Sequence, residues 1–235
     1  MHDEERSKAA VTRRATGSGA RIAWLLPPLI EGSGGIRTML HNAEALTEAG
    51  HRCDIYIQHD MSKAPPTAEL EASLRRELAE MFDYHGEHVY AGFRMRSEYD
   101  LAIATAWWTA FDVARLAVPK KAYFVQDYEA MFSPMGDGYL MAENSYSLGL
   151  TPITIGRWLS HTLATRYGNQ AAWFEFCADR NAYRPNPTIE REKAVCFIYQ
   201  PEKPRRCPKL GFETLRIVKN RRPKTKILLY GTREP

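Results

Sequence analysis

Two stretches of this 235-residue chain bring together residue types that do chemistry, and a third offers aromatic faces. Gly32-Ser33-Gly34-Gly35 precedes an apolar repeat at helical spacing, Ile36, Met39, Leu40, Ala43 and Leu46. A glycine loop feeding a helix N-terminus gathers unpaired backbone N–H groups at one spot, with the positive end of the helix dipole behind them. That suits a phosphate or a sugar hydroxyl. A tight turn that merely needs glycine is the structural alternative. Gln126-Asp127-Tyr128-Glu129 supplies an amide, a phenol and two carboxylates able to orient hydroxyls or move a proton. Asp127 as a helix cap and Glu129 as a solvated surface residue are the alternatives there. Trp107 and Trp108 offer faces on which a sugar can stack, with one of the pair expected in the core. His41 and His161 fall on expected helices and read as surface or core residues.

The elements that must position these groups follow from periodicity. Ile22 to Leu26 is a short apolar run of the kind a parallel strand buries on both faces, and Gly50 closes the helix after the glycine loop. Cys53 to Ile57, Val89 to Ala91, Asp100 to Thr105, Lys121 to Val125, Pro152 to Ile155 and Ala171 to Phe176 read as further strands. Leu70, Leu74, Leu78 and Phe82 mark a helix behind an N-cap at Thr67. Helices are also expected from Trp107 to about Ala117, stopped by Pro119, from Tyr139 to Leu148 after a loop, and from Trp158 to Tyr167, closed by Gly168. Strands and helices thus alternate to about residue 180, which predicts an α/β fold with a parallel, doubly wound sheet. Ligands of such sheets bind beyond the carboxyl ends of the strands. Those ends carry the glycine loop, Gln58-His59-Asp60, Thr105-Trp107, Gln126 to Glu129, Gly156-Trp158 and Cys177-Asp179.

Residues 1–19 are polar, of mixed charge and without an apolar h-region, and read as a disordered leader with no secretory signal. Residues 20–183 form the first domain. Residues 184–193 are a linker, entered through the stiff, polar Tyr183-Arg184-Pro185-Asn186-Pro187. Residues 194–235 begin a second domain, with strands at Val195 to Tyr199 and Ile227 to Tyr230 and a helix over roughly Leu210 to Lys219. One βαβ unit cannot bury both faces of a parallel sheet, so the chain reads as a fragment of a longer protein. From Arg184 onward there are fourteen Lys and Arg against five Glu, within a net charge of +4. A basic section suits a nucleotide phosphate, an anionic membrane or nucleic acid. Without interleaved aromatics or a nucleic-acid motif, nucleic acid is not the expected partner. No apolar run reaches the roughly 18 residues of a membrane span. Cys53, Cys177, Cys196 and Cys207 form no C-x-x-C pair and are expected to be reduced, buried and free of metal in a cytoplasmic protein.

The glycine loop departs from two common nucleotide folds. Ile36-Arg37-Thr38 replaces the G-K-[ST] ending of a P-loop, and Arg37 stands where a G-x-G-x-x-G fingerprint has its third glycine. Asp60 does follow the second strand, where a dinucleotide enzyme holds its ribose acid, so an oxidoreductase stays open as an alternative.

The runs G-S-G-G-I-R-T (32–38), Y-F-V-Q-D-Y-E (123–129) and S-P-M-G-D-G-Y-L-M-A-E-N-S-Y (133–146) resemble the rhamnosyltransferase-like group of GT-B glycosyltransferases of bacterial surface-polysaccharide and S-layer-glycan synthesis. R-P-N-P (184–187) and V-C-F-I-Y-Q-P-E-K-P-R-R-C (195–207) are similar to that group's linker and first donor-domain strand. The resemblance covers about residues 20 to 235. It implies two Rossmann-like domains facing a cleft, the first for a glycan acceptor and the second for a nucleotide-sugar, with dTDP-rhamnose the expected donor. It also implies retaining, metal-independent transfer without a cofactor. Gly34, Gly35, Arg205 and Arg206 would face the donor, and Trp107, Gln126, Asp127, Tyr128 and Glu129 would line the acceptor side. No catalytic residue is assigned, since front-face transfer can rely on the leaving phosphate. Arg205 and Arg206 precede a helix N-terminus, where guanidinium groups suit a diphosphate leaving group; exposure in a loop is their alternative. The expected location is the cytoplasm, at the inner face of the membrane where the acceptor is lipid-linked. The group carries the rest of its donor domain, including an acidic pair gripping the donor's ribose and sugar, beyond the point matching Pro235. The isolated chain is therefore expected to have little transferase activity. A non-catalytic glycan-binding module built on the first domain is the remaining reading.

Overall fold

The computed structural model describes residues 19–60, 65–176 and 183–231. The leader read over residues 1–19 falls outside this set except for Gly19, as do Cys177 and Asp179. The chain forms two compact units. One holds the residues through Glu129 together with Leu140–Glu175, and the other holds Ala130–Tyr139 together with the residues from Phe176 on.

In the first unit, seven short strands carry near-continuous apolar runs, the composition of strands covered on both faces. They are β1 (Arg21–Leu26), β2 (Arg52–Ile57), β3 (Val89–Ala91), β4 (Leu101–Ala104), β5 (Lys120–Val125), β6 (Thr151–Ile155) and β7 (Ala172–Phe174). Their order is β3-β2-β1-β4-β5-β6-β7, and every neighbouring pair is parallel. The order reverses between β1 and β4, which makes that boundary the topological switch point. Five helices provide the crossovers: α1 (Gly34–Glu48), α2 (Ala68–Phe82), α3 (Trp107–Arg115), α4 (Asp137–Ser145) and α5 (Arg157–Tyr167). The expected doubly wound α/β domain is thus present.

Alternation along each strand divides the core. Trp24, Leu26, Ile55, Ile57, Ile103 and Phe124 pack in one cluster with Ile36, Met39 and Leu40 of α1 and Leu78 and Phe82 of α2. On the opposite face Ala23, Leu25, Ala102 and Ala104 are buried, and α3 lies against β1, β4 and β5 with Ala110 and Val113 inward. The connection from β3 to β4 is tied down by a buried polar chain. Asp54 of β2 is fully buried and accepts from Arg52 Nε at 2.9 Å and from the Tyr99 hydroxyl at 2.6 Å. Tyr99 and Tyr56 share a hydroxyl–hydroxyl bond of 2.8 Å, and the Tyr56 oxygen accepts from Arg96 N at 2.7 Å.

Several boundaries differ from expectation. Helix α3 stops at Arg115, short of Ala117, because Leu116 turns to an extended conformation. A 3-10 turn occupies Glu129–Phe132, taking the first two residues of the loop expected over Met131 to Gly138, and α4 then runs Asp137–Ser145 rather than from Tyr139 to Leu148. Strand β7 is shorter than expected because it is an edge strand paired to β6 at three positions.

Besides Ala130–Tyr139, the second unit holds a parallel βαβ element: β8 (Ala194–Ile198), α6 (Pro208–Arg221) and β9 (Lys226–Tyr230), with Val195 opposite Ile227. Proline at the first position of α6 starts the helix two residues before Leu210, since its fixed φ suits N1 and its missing N–H is not required there. Leu215 is the buried residue of α6, while Leu228, Leu229 and Tyr230 of β9 are exposed. The expectation of buried thiols is corrected here. Cys53 is buried, but Cys196 and Cys207 are exposed, because among the described residues one helix covers this two-stranded sheet. Among the described residues no helix is long and apolar enough to cross a membrane, and no group of three or more His, Cys, Asp or Glu side chains is placed to hold a metal ion.

Candidate functional site

The switch point opens between the carboxyl ends of β1 and β4. Beyond β1, Gly32 adopts φ +74°, a left-handed conformation that favours glycine. Ser33 then caps α1, its hydroxyl accepting from Ile36 N at 3.3 Å. Gly34 and Gly35 are the first two helical residues, and neither has a positive φ. A Cβ at Gly34 would meet nothing within 4 Å, and one at Gly35 would meet Gln126 Nε2 at 3.6 Å and Ser33 Oγ at 3.8 Å, ordinary contacts. Glycine inside a helix costs up to ~1 kcal/mol against alanine. Neither backbone shape nor packing within the fold requires these two, and their effect is to keep the mouth of the helix clear. Arg37, at the third fingerprint position, is exposed and donates to Met81 O at 3.3 Å.

Beyond β4, the Thr105 hydroxyl donates to Leu25 O at 2.6 Å and fastens the two strand ends together. Trp107 and Trp108 open α3 as an edge-to-face pair with centroids 5.4 Å apart. Both are half-buried, which corrects the expectation that one belongs to the core: the pair stands on the first turn past the sheet. Trp108 Nε1 donates to Gln58 Oε1 at 2.8 Å, a contact spanning fifty positions that reaches from α3 to the end of β2. Gln58 was visible in the sequence as a strand-end residue, without any sign of its partner.

Beyond β5, Gln126 is half-buried and donates Nε2 to Gly35 O at 3.3 Å, so the glycine loop and the 126–129 run meet. Asp127 is half-buried, and its carboxylate accepts from Tyr128 N at 2.8 Å. Tyr128, expected on the acceptor side, is buried in this run. It is 1% exposed, its ring stacks on Tyr146, and its hydroxyl lies in a cluster with Glu143, Tyr167 and Arg166.

Glu129, also expected on the acceptor side, is 6% exposed, which corrects the alternative of a solvated surface residue. Its Oε2 accepts from Trp107 N at 2.8 Å, its Oε1 accepts from the Tyr123 hydroxyl at 2.9 Å, and its own N–H donates to the Tyr146 hydroxyl at 2.8 Å. Burial pushes its carboxyl up to about 7; the bonds from Trp107 and Tyr123 pull the other way, and the Asp127 charge adds to the rise. Burial likewise holds the Tyr123 hydroxyl well above its ordinary range.

At the outer part of the rim, Trp158 follows β6 and the Gly156 turn, is 58% exposed, and meets Tyr128 edge-on at 6.5 Å. His41, His161 and Asp60 are exposed. In the second unit, Arg205 and Arg206 lie exposed in the 3-10 turn Pro204–Arg206. The Arg205 guanidinium sits 4.0 Å above the Phe132 ring, a cation–π contact. Cys207 follows in a left-handed conformation and makes no side-chain cap at the start of α6.

No family model matches this chain. Over 223 residues it is 28% identical to the O-antigen biosynthesis protein RfbC of Myxococcus xanthus, a stretch that covers 92% of this chain and 17% of the relative. The chain therefore spans under a fifth of the length of the curated relative it matches. The fold is glycosyltransferase-like: a Rossmann-like α/β domain of the type that forms the N-terminal half of GT-B enzymes, with distant similarity to a protein of O-antigen biosynthesis.

Proposed function

We propose that this chain belongs to a retaining glycosyltransferase that moves rhamnose from dTDP-rhamnose to a bacterial surface glycan. Residues 20–183 are the acceptor-binding domain, 184–193 the linker, and 194–235 the start of the nucleotide-sugar domain. The observation that carries this reading is the start of α1. Two glycines that the fold does not need for its own packing sit at an open helix N-terminus in contact with Gln126, and the half-buried indole pair opens α3 beyond the neighbouring strand β4. Such a mouth admits a sugar or its phosphate against backbone N–H groups, and the indoles supply a stacking face. Similarity to an O-antigen biosynthesis protein supports the substrate class.

In this reading Trp107, Gln126 and Asp127 contact the acceptor, Gly34 and Gly35 leave room for the donor, and Arg205 and Arg206 neutralise its diphosphate. The transfer needs no metal in this scheme, and the acceptor, if carried on a lipid, brings the enzyme to the inner face of the membrane.

The test is calorimetry on the full-length protein with dTDP and dTDP-rhamnose. Gly35→Ala is expected to keep or raise the melting temperature, since alanine favours a helix by up to ~1 kcal/mol, while weakening the donor. Arg205→Ala is expected to weaken dTDP about tenfold or more, the scale of one charge-assisted phosphate contact. Unchanged donor affinity in both variants removes these residues from the site. Glycan binding without any nucleotide binding points instead to a non-catalytic module, and NAD(H) binding to the oxidoreductase.

A further inference from the structure

Helix α3 begins without a capping side chain of its own. Its N-cap is Ala106, which has no polar atom, and the first N–H groups must be met from elsewhere. Thr109 turns back and accepts from Thr105 N and Ala106 N, both at 3.0 Å. The N–H of Trp107 is met by a residue twenty-two positions away, Glu129 in the 3-10 turn beyond β5. The carboxylate is itself gripped from behind by the Tyr123 hydroxyl, while the Glu129 backbone is held by Tyr146, whose ring stacks on Tyr123.

We infer that Glu129 is a positioning residue, acting from beneath the rim to fix the backbone of Trp107 and so the attitude of the indole pair toward the acceptor. This rests on the proposed role of Trp107 as an acceptor contact. Trp107 is anchored through its backbone to Glu129 beyond β5, and Trp108 through its indole N–H to Gln58 at the end of β2. The pair is thereby braced from both sides of the switch point. A stacking platform held this way keeps its orientation before ligand arrives, which lowers the ordering cost of binding. The carboxylate has no exposed oxygen to offer a sugar in this arrangement, since the residue is buried and both of its oxygens are engaged.

Glutamine separates this role from direct chemistry. Its amide oxygen can still accept from Trp107 N and its NH2 can donate to the Tyr123 oxygen, whereas it cannot act as a base or a charged ligand. The experiment compares wild-type protein with Glu129→Gln and Glu129→Ala by the circular-dichroism couplet of the indole pair, and by tryptophan-fluorescence titration with a rhamnose-containing oligosaccharide. Glu129→Gln is expected to keep the couplet and bind glycan within about twofold of wild type, and Glu129→Ala to lose the couplet and bind at least about tenfold more weakly. A couplet that survives in Glu129→Ala overturns the inference. So does a Glu129→Gln protein that keeps the couplet but loses the glycan, because the carboxylate would then be touching ligand. If wild type binds no glycan, the acceptor reading of Trp107 fails, and the couplet alone still decides whether Glu129 holds the pair. Should Glu129→Ala not fold, Tyr123→Phe removes the anchor behind the carboxylate; it is expected to weaken the couplet, and an unchanged couplet there overturns the inference.

Discussion

Raising the pH from 5 to 8 is expected to take about 2 to 3 kcal/mol from the stability of the wild-type fold through Glu129, a loss that Glu129→Gln does not share. The carboxyl is pushed up to about 7 by burial in the folded chain, against an ordinary value of 4.5. Below about pH 4.5 both folded and unfolded chains hold the proton, and the contribution is fully present. As pH rises the unfolded chain releases its proton first, while the folded chain holds on until about 7, so stability falls through that window. Above it, the folded protein carries a buried carboxylate whose desolvation the bonds from Trp107 and Tyr123 offset in part. Tyr123, Tyr146 and Asp127 are the titratable neighbours. Asp127 raises the value, and burial holds the Tyr123 phenol well above its ordinary range. Urea melts of the two proteins at pH 5 and pH 8 measure the difference, with the histidines cancelling between them. Parallel slopes would show that Glu129 titrates as an ordinary surface acid.

The second large effect is expected at Arg52. Its guanidinium grips Asp54 through Nε at 2.9 Å and Nη2 at 3.4 Å, and the Asp54 side chain has no exposed surface while that of Arg52 is 41% exposed. Removing the cation leaves a carboxylate out of reach of water, with the Tyr99 hydroxyl as its remaining side-chain donor among the described residues. Breaking a buried pair from one side costs about 3 to 5 kcal/mol, and the half-exposed guanidinium places Arg52→Met near the lower end, about 3 kcal/mol. Arg52→Met combined with Asp54→Asn is expected to recover most of that, because the uncompensated charge is gone. Chemical denaturation of the four proteins in the cycle gives the coupling directly. A loss under about 1 kcal/mol in Arg52→Met would mean that Tyr99 and the local backbone already satisfy Asp54.

The sheet was legible in the sequence because a parallel strand buried on both faces leaves an unbroken apolar run, as Ile22 to Leu26 and Cys53 to Ile57 do. Helix ends were legible where one residue fixes them: Thr67 caps α2, and Gly168 takes the left-handed turn after α5. The site was legible only as a set of strand ends. Nothing near Glu129 in sequence says that it lies under Trp107, since that follows from β5 pairing with β4 in one register, Ala104 opposite Tyr123. The same holds for Tyr128, whose hydroxyl partners are Glu143, Arg166 and Tyr167 on two later helices. Exposure of Cys196 was not legible either, because a strand's burial depends on what covers it and not on its own composition.

The strand order also governs how the first unit can assemble. Within β3-β2-β1 and within β4-β5-β6-β7, each strand's neighbours in the sheet are its neighbours along the chain. Each half can therefore grow by short, local crossovers with little loop-closure entropy. The single exception is the seam at the switch point, where Ile22 must find Leu101. As the chain leaves the ribosome, β1, α1 and β2 are complete long before the partner for the open edge of β1 exists. That edge is apolar on both faces and waits unpaired, which makes the joining of β1 to β4 the natural rate-limiting event and the window in which a chaperone would find this chain.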